Sequence, residues 1–362
     1  MVAAQPETVD SRIHAAMSHW APRFVANGVD MNDFFRVTAG IERWEDWCGA
    51  WAIAGGDVAE LAEEAEAAGN SESAAAHFVR AALLYHFGKF LFFESEKQAR
   101  DAHERTVALY NRALPYLDPT GERVEIPYED GAVIPGILRR PVQVVRPPIV
   151  ILVPGLDSVK EELHGYSEDL LARGMATLAI DGPGQGEMER DHAIRYDYEV
   201  PIRHVIDWTG GRGDVEPSRV GLLGVSLGGY YAARAATQES RLRAAVAVGT
   251  GYRLAESFDG LPELTKEAFV RRMKVADRAA ARDRLRDFDL SDVIGSLKCR
   301  LLVVMGRQDR LFDAGSVEQM VRDAEGRAEL LMYEEGNHVC NNIPYKCRPR
   351  QADWLRERLK EV

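Results

Sequence analysis

The segment Gly224-Val225-Ser226-Leu227-Gly228 carries the clearest chemical signal in the sequence. It fits G-x-S-x-G, follows the apolar run Val220–Leu223 and precedes the helix-compatible segment Gly229–Arg234. This order of strand, tight turn and helix is typical of a strained turn that lifts a serine hydroxyl above a sheet, with glycines where no Cβ fits. We therefore predict that Ser226 attacks a substrate or positions an attacking water. The N–H of Leu227, at the helix start, would face a developing oxyanion. A plain glycine turn is the alternative.

A serine nucleophile needs a general base, and the base needs an acid that orients it. In α/β-hydrolases these groups follow the serine in the order Asp or Glu, then His. His338 is the only histidine after Ser226, and we predict that it is the base that moves the proton. Asp309 follows the apolar run Leu301–Met305 and is the predicted acid. Asp313 competes for that role, although a helix N-cap suits it better.

Two further loops, each after a predicted strand, could complete the site. Val153-Pro154-Gly155-Leu156-Asp157 occupies the position expected for a second oxyanion donor, so the N–H of Leu156 is the candidate; an ordinary turn is the alternative. Asp181–Glu187 contains G-x-G but lacks the full dinucleotide pattern and does not follow the first strand. We interpret it as a shaped loop beside the active site. The charged residues 160–162 are interpreted as a helix start.

The remaining histidines and cysteines do not suggest a metal site. His164, His192 and His204 are scattered, without a spacing such as H-E-x-x-H. Cys340 and Cys347 lie seven residues apart, but one local pair favours buried thiols over metal ligands. We therefore predict neither a metal nor a cofactor.

Residues 119–362 show the alternation of strands and helices that must position these loops. A turn signal at Glu129-Asp130-Gly131 separates two segments of period two and predicts a hairpin. Short apolar runs then predict the buried strands of a mostly parallel, doubly wound sheet: Ile149–Val153, Ala176–Ile180, Val220–Gly224, Ala244–Val248, Leu301–Met305 and Leu330–Tyr333. A helical insertion at 254–286 is expected near the active site.

Residues 1–118 have a helical pattern and no catalytic candidate, which favours a cap or lid domain. Trp44, Trp47 and Trp51 recur at three and four residues and share one face of a predicted helix at 41–53. Further helices are predicted at 57–68, from about 71 through 92, and at 96–114. Trp44 and Trp47 could line an apolar substrate pocket, whereas packing in a core is the alternative for such a stripe.

Composition excludes several classes of protein. The 362 residues suggest two units, and 57 acidic against 45 basic residues give a net charge of −12, which argues against nucleic acid or anionic membrane as a partner. No apolar run approaches the roughly 18 residues that span a bilayer. The first twelve residues lack the basic-then-apolar order of a secretory signal. Four dispersed cysteines favour a reduced, cytoplasmic protein.

Four motifs together resemble the 2,6-dihydroxypseudooxynicotine hydrolase group of α/β-hydrolases, which is related to FrsA-type proteins and to fungal polyketide-shortening hydrolases. They are V-P-G-L-D-S-x-K-E-E at Val153–Glu162, D-G-P-G-Q-G-E at Asp181–Glu187, G-V-S-L-G-G at Gly224–Gly229 and G-N-H-V-C-N-N at Gly336–Asn342. The resemblance covers most of the chain. It implies an α/β-hydrolase fold with a helical N-terminal cap over the active site, a homodimer, and cleavage of a carbon–carbon bond between a hydroxylated aromatic ring and an acyl carbon.

The resemblance assigns Ser226, Asp309 and His338 as nucleophile, acid and base, with Leu156 and Leu227 as oxyanion donors. Members of the group also hold substrate with polar side chains from the cap and from the segment before the acid. The corresponding segment Arg253–Pro262 differs in composition, and Glu256 and Asp259 are its candidate counterparts.

Three functions are consistent with these residues. The first is a hydrolase of a carbon–carbon bond next to a ketone, in an acylated hydroxy-aromatic or β-dicarbonyl substrate. The second is a carboxylesterase or related acyl hydrolase with the same triad, acting on an aromatic ester. The third is a non-enzymatic, FrsA-like interaction protein, which the complete triad disfavours.

Overall fold

The computed structural model describes residues 10–360. Most of the segment on which the secretory-signal prediction rests lies outside these described residues. The chain divides into two compact units, Met1–Tyr116 and Leu117–Val362, whereas the sequence pattern changes at residue 118. No helix in the described part is both long and apolar enough to cross a membrane.

The first unit consists of helices and turns across residues 10–116, with no strand in that range. Its α-helices are α1 Ser11–Ala15, α2 Ala21–Ala26, α3 Met31–Thr38, α4 Trp47–Ala67, α5 Ser71–Lys89 and α6 Glu96–Ala113, and a π-helical turn, Ala16–Trp20, joins α1 to α2. Aromatic side chains fill its interior. The rings of Phe24 and Phe87, for example, stack with centroids 4.0 Å apart.

Helix α4 runs without a break where the sequence predicts two shorter helices, at 41–53 and 57–68. The prediction is wrong because Gly55 and Gly56 do not interrupt the helix. A Cβ on Gly55 would lie 2.7 Å from the ring of Tyr85, on α5. The glycine therefore permits α4 and α5 to approach closely, and this packing outweighs the low helix propensity of glycine.

The second unit is built on one eight-stranded sheet with the order β1-β2-β4-β3-β5-β6-β7-β8. The strands are β1 Gly121–Pro127, β2 Val133–Arg139, β3 Pro148–Val153, β4 Ala176–Ile180, β5 Glu216–Val225, β6 Leu242–Val248, β7 Arg300–Gly306 and β8 Ala328–Tyr333. β2 is antiparallel to β1 and β4, and all the other pairs are parallel. The predicted hairpin and α/β-hydrolase fold are confirmed, as are the predicted buried strands, except that Leu330–Tyr333 is only partly buried because β8 lies at the edge of the sheet.

Helices cover the sheet and bury its apolar strands. They are α7 His164–Leu171, α8 Glu199–Gly210, α9 Leu227–Gln238, α10 Leu254–Ser257, α11 Glu263–Met273, α12 Arg278–Arg284, α13 Ala314–Asp323 and α14 Pro344–Lys360. Val150, Val246 and Val304 pack in one core with Leu355 and Leu359 of α14. Helices α10–α12 occupy the predicted insertion at 254–286, between β6 and β7. Because parallel strands end at the same edge of a sheet, the loops after β3, β5, β7 and β8 lie at one edge.

Candidate active site

Ser226 lies in a strained turn between β5 and α9. Its φ of 61° and ψ of −119° lie outside the regions that a residue with a Cβ prefers. Glycines on both sides make this turn possible. A Cβ on Gly224 would lie 1.8 Å from the carbonyl oxygen of Gly228, and a Cβ on Gly228 would lie 2.3 Å from that of Val153. The G-x-S-x-G pattern therefore needs glycine at both positions, because a side chain at either one would collide with the backbone.

Hydrogen bonds join the three residues that the sequence assigns to nucleophile, base and acid. His338 Nε2 lies 2.9 Å from Ser226 Oγ, and His338 Nδ1 lies 2.8 Å from Asp309 Oδ2. The other oxygen of Asp309 accepts from the backbone N–H groups of Leu311 and Phe312, at 2.8 and 3.2 Å. The Asp309 side chain is completely buried, so its orientation is fixed from both sides.

The partners also determine which nitrogen of His338 carries the proton. Asp309 already accepts from two backbone donors, and an ionised carboxylate can only accept. His338 Nδ1 therefore donates to Asp309, which leaves the lone pair of Nε2 facing the hydroxyl of Ser226. A neutral histidine in this tautomer is ready to take a proton from the serine.

A reciprocal pair of asparagines holds the loop that carries His338. Asn337 N–H donates to Asn342 Oδ1 at 2.9 Å, and Asn342 N–H donates to Asn337 Oδ1 at 3.2 Å. Cys340 and Cys347, nearby, are both buried and free of disulfides. Within the described residues, no group of three or more His, Cys, Asp or Glu side chains could hold a metal ion.

Each predicted oxyanion donor belongs to a segment that lies against Ser226. Leu227 is the first residue of α9, so its N–H belongs to the set that a helix start leaves without an intrahelical acceptor. The loop after β3, which carries Leu156, approaches Ser226 because β3 pairs with β5 in the sheet. A Cβ on Gly155, directly before Leu156, would lie 3.1 Å from the Cβ of Ser226 and 3.5 Å from its Oγ.

The charged residues after this loop form a buried ion network, which the sequence did not reveal. Lys160 Nζ lies 2.7 Å from Glu161, 2.9 Å from Asp181 and 2.6 Å from Glu187, and Arg123 also pairs with Glu187 at 2.6 Å. Burial opposes the charge on Lys160, but the three carboxylates outweigh it and raise its pKa. Burial likewise opposes the charge on Glu187, yet the two cations hold its pKa below the ordinary value. Residues 160–163 form a 3₁₀ turn before α7.

The structure shows other partners for each of the four candidate substrate contacts. Trp44 and Trp47 are buried in the helical unit, with ring centroids 4.9 Å apart, and Trp47 Nε1 donates to the carbonyl of Phe87. Glu256 and Asp259 are exposed in the insertion, where they pair with arginines. Contact of any of the four with substrate remains a prediction.

Asp313, which competed with Asp309 for the role of acid, caps a helix instead. Its Oδ2 accepts from the N–H of Ser316 at 2.6 Å at the start of α13. This is the N-cap role that the sequence suggested for it.

Comparison with known proteins gives one match over nearly the whole chain and others over part of it. A family model described as "Esterase FrsA-like" matches residues 29–300. A 2,6-dihydropseudooxynicotine hydrolase from Paenarthrobacter nicotinovorans is 33% identical over 344 residues, which is 94% of this chain and 91% of that protein. The α/β-hydrolase gkaG from Penicillium citrinum is 32% identical over 62% of this chain and 56% of its own length.

Solved structures agree with these matches. The crystal structure of a 2,6-dihydroxy-pseudo-oxynicotine hydrolase superposes with a TM-score of 0.87 at 31% identity, over 94% of this chain and 95% of that one. AbyA5, at 21% identity, has the same fold with a TM-score of 0.74 over 97% of this chain and 99% of its own. Similarity to a hydrolase over 94% of its length makes this chain a hydrolase. It belongs to the FrsA-like esterase family of α/β-hydrolases.

Proposed function

We propose that Ser226, His338 and Asp309 form a catalytic triad that hydrolyses the bond between an aromatic ring and a ketone carbon. The substrate would be an acylated hydroxy-aromatic compound. The observation that carries this proposal is the continuous hydrogen bonding from Ser226 through His338 to Asp309, in a chain aligned over 94% of its length with 2,6-dihydropseudooxynicotine hydrolase. A β-dicarbonyl compound is the alternative substrate, with the carbon between its two carbonyl groups as the leaving carbon.

In the first half of the reaction, Ser226 Oγ attacks the ketone carbon while its proton passes to His338 Nε2. The electron pair of the carbonyl moves to oxygen, where the N–H groups of Leu156 and Leu227 stabilise the oxyanion. His338 then returns the proton to the ring carbon that bears the acyl group. When the tetrahedral centre collapses, the carbon–carbon bond breaks, and its electron pair returns to the ring.

A ring carbon leaves poorly unless the ring can accept the proton before the bond breaks. A hydroxyl ortho to the acyl group donates electron density to that carbon and stabilises the protonated ring, whereas a meta hydroxyl does not. We therefore expect ortho hydroxyls to be required. The substrate itself would therefore supply the electrons.

In the second half, water hydrolyses the acyl group on Ser226. His338 takes a proton from the water as its oxygen attacks, and it returns that proton to Ser226 as the acyl–oxygen bond breaks. Asp309 stabilises the imidazolium in both halves. The products are a carboxylic acid and the free hydroxylated arene, and one water is consumed.

The helical unit, residues 1–118, would act as a lid that selects the substrate. It holds none of the triad residues. Its helices are additional to the sheet unit that carries the triad. We also propose a homodimeric, cytoplasmic enzyme that acts on a small molecule without nucleic acid, membrane, metal or cofactor. A crystal structure with a bound, uncleaved aryl ketone tests the lid role: contacts to the ligand from residues 1–118 are required.

Carboxylesterase activity is the second candidate, because the matching family model is described as an esterase. Both reactions share the oxyanion and the base, and they differ only in the leaving group. An alkoxide or phenoxide leaves without ring protonation. An esterase would therefore tolerate any position of the ring hydroxyls.

The decisive comparison uses two ketones that release the same product. We expect 1-(2,6-dihydroxyphenyl)butan-1-one to yield resorcinol, measured by chromatography, while the 3,5-dihydroxy isomer yields none. Phenyl butyrate serves as the ester control. Rapid cleavage of the ester with no resorcinol from either ketone would overturn the carbon–carbon assignment and favour the esterase.

A further inference from the structure

The buried side chain of Gln185 is hydrogen-bonded to the loop that carries the second oxyanion donor. Gln185 Nε2 donates to the carbonyl oxygens of Pro154, at 2.5 Å, and Gly155, at 3.1 Å. Its Oε1 accepts from the hydroxyl of Tyr198 at 2.6 Å. Gln185 and Tyr198 are both fully buried. All the polar atoms of this amide therefore face protein partners.

The orientation of the Gln185 amide follows from the chemistry of its partners. Two carbonyl oxygens can only accept, so the nitrogen must face them. Burial raises the pKa of Tyr198 well above its ordinary value, so its phenol keeps the proton that it donates to the amide oxygen. The ring of Tyr198 stacks on Tyr231 of α9 with centroids 3.8 Å apart and planes 7° from parallel. Helix α9, which begins beside Ser226, therefore packs against Tyr198, and Tyr198 in turn holds Gln185.

The hydrogen bond to Gly155 acts on the peptide group that carries the oxyanion donor. The carbonyl of Gly155 and the N–H of Leu156 belong to one planar amide and point in opposite directions. Fixing the carbonyl therefore fixes the direction of the N–H. Accepting a hydrogen bond at the carbonyl also polarises the amide and strengthens the N–H as a donor.

The loop that carries Gln185 also holds the far end of the oxyanion loop, residues 154–160. Asp181 accepts from the N–H of Lys160 at 2.8 Å and from its Nζ at 2.9 Å. The glycines around Gln185 leave space for these contacts. A Cβ on Gly182 would lie 2.0 Å from the Tyr198 hydroxyl, and one on Gly186 would lie 2.0 Å from the Asp181 carboxylate.

We propose that Gln185 is a positioning residue: its amide, held by Tyr198, orients the Gly155–Leu156 peptide so that the Leu156 N–H stabilises the oxyanion. This inference rests on the proposed function of Ser226 and Leu156. It assigns the D-G-P-G-Q-G-E motif the task of holding the oxyanion loop at both ends.

Gln185→Met tests the proposal, because methionine keeps the length and volume of the side chain but cannot donate or accept these hydrogen bonds. Gln351→Met is the matched control, since Gln351 is also buried and lies on α14. With 4-nitrophenyl butyrate as the probe, we expect kcat of Gln185→Met to fall about 10- to 100-fold, because losing an oxyanion donor outright costs about 100- to 1,000-fold. KM should change less than about threefold, and Gln351→Met should match the wild type.

Phenylboronic acid provides a readout that a purely structural role would not change. Ser226 Oγ adds to its boron while the serine proton passes to His338, and the resulting tetrahedral boronate puts an oxygen in the oxyanion position. We expect its affinity to fall by about the same factor as kcat in Gln185→Met, and by a smaller factor in Tyr198→Phe. A folded Gln185→Met with unchanged boronate affinity overturns the proposal.

Two further variants keep the outcomes distinct. If Gln185→Met does not fold, Tyr198→Phe decides, and unchanged boronate affinity in that variant overturns the proposal. Ser226→Ala tests the proposed function itself. If Ser226→Ala retains activity, the triad assignment fails. If Ser226→Ala is inactive while a folded Gln185→Met is fully active, the triad stands and only the role of Gln185 fails.

Discussion

Gly306 and Gly336 bring the loop of the acid and the loop of the base into backbone contact. A Cβ on Gly306 would lie 2.3 Å from the carbonyl oxygen of Gly336. Gly306 is the last residue of β7, three positions before Asp309, and Gly336 lies two positions before His338. The 2.8 Å hydrogen bond between Asp309 and His338 therefore depends on an approach that only a residue without a side chain allows.

Replacement of Gly306 by alanine should push these two loops apart. We expect kcat to fall at least about 10-fold, because small displacements of catalytic groups are costly, and the free energy of unfolding to fall by about 1–3 kcal/mol. Gly213→Ala is the control, because a Cβ there meets no atom within 4 Å. Steady-state kinetics and thermal unfolding measure the two effects. Wild-type kcat in Gly306→Ala would contradict this account of the contact.

Asp309→Asn should abolish most activity while leaving the fold intact. An asparagine oxygen can still accept from the N–H groups of Leu311 and Phe312, but its amide nitrogen would face His338 Nδ1 and favour the wrong tautomer. Such a change in a serine triad lowers kcat by about 10⁴. The matched control is Asp313→Asn, because asparagine caps helices as well as aspartate does. Equal activity of the two variants would show that Asp309 is not the acid.

Glu187 should make stability depend on pH in the acid range. Burial opposes its charge, but Lys160 and Arg123 outweigh burial and hold its pKa below the ordinary value of 4.5. Its ionised form therefore stabilises the fold at neutral pH, and this contribution is lost as pH falls below that value. We expect Glu187→Gln to be about 2 kcal/mol less stable than the wild type at pH 7, with the gap narrowing below about pH 4.5.

Urea unfolding at several pH values measures this gap. Glu357→Gln, at an exposed position of α14, controls for the loss of one negative charge. A gap between the wild type and Glu187→Gln that stays constant from pH 7 to pH 4 would refute the assignment.

Two adjacent glycines in α4 should respond oppositely to alanine. At Gly55 a Cβ would lie 2.7 Å from the ring of Tyr85, whereas at Gly56 the nearest atom is the Tyr85 hydroxyl at an ordinary 3.5 Å. We expect Gly55→Ala to lower the free energy of unfolding by about 1–3 kcal/mol. Gly56→Ala should raise it by up to about 1 kcal/mol, through helix propensity alone. Calorimetry of both variants tests this, and a rise in Tm for Gly55→Ala would contradict it.

Chain order predicted which residues meet at the candidate site because the sheet is parallel. The apolar runs define the strands, the strands end at one edge, and the loops after β5, β7 and β8 therefore gather Ser226, Asp309 and His338. The turn at Ser226 is also predictable, because only glycine fits at positions 224 and 228 and the G-x-S-x-G pattern records this. These features depend on local pattern and topology, which a single sequence contains.

Features that depend on close tertiary contact could not be predicted in the same way. The sequence predicts two separate helices on either side of Gly55 because it does not reveal the ring of Tyr85 against this glycine. The interpretation of residues 160–162 as a helix start misses the ion network, since a run of charges does not show that it is buried and paired. Gln185 gave only an indirect signal, the glycines on either side of it, because its partners are backbone carbonyls.

The most direct test of the account is the mass of the intact protein, quenched within one turnover of 1-(2,6-dihydroxyphenyl)butan-1-one. We predict that a fraction of the wild-type chain gains the mass of one butanoyl group, that the group maps to the peptide containing Ser226, and that Ser226→Ala neither gains it nor releases resorcinol. Release of resorcinol by Ser226→Ala at the wild-type rate would contradict the claim that Ser226 carries out the cleavage.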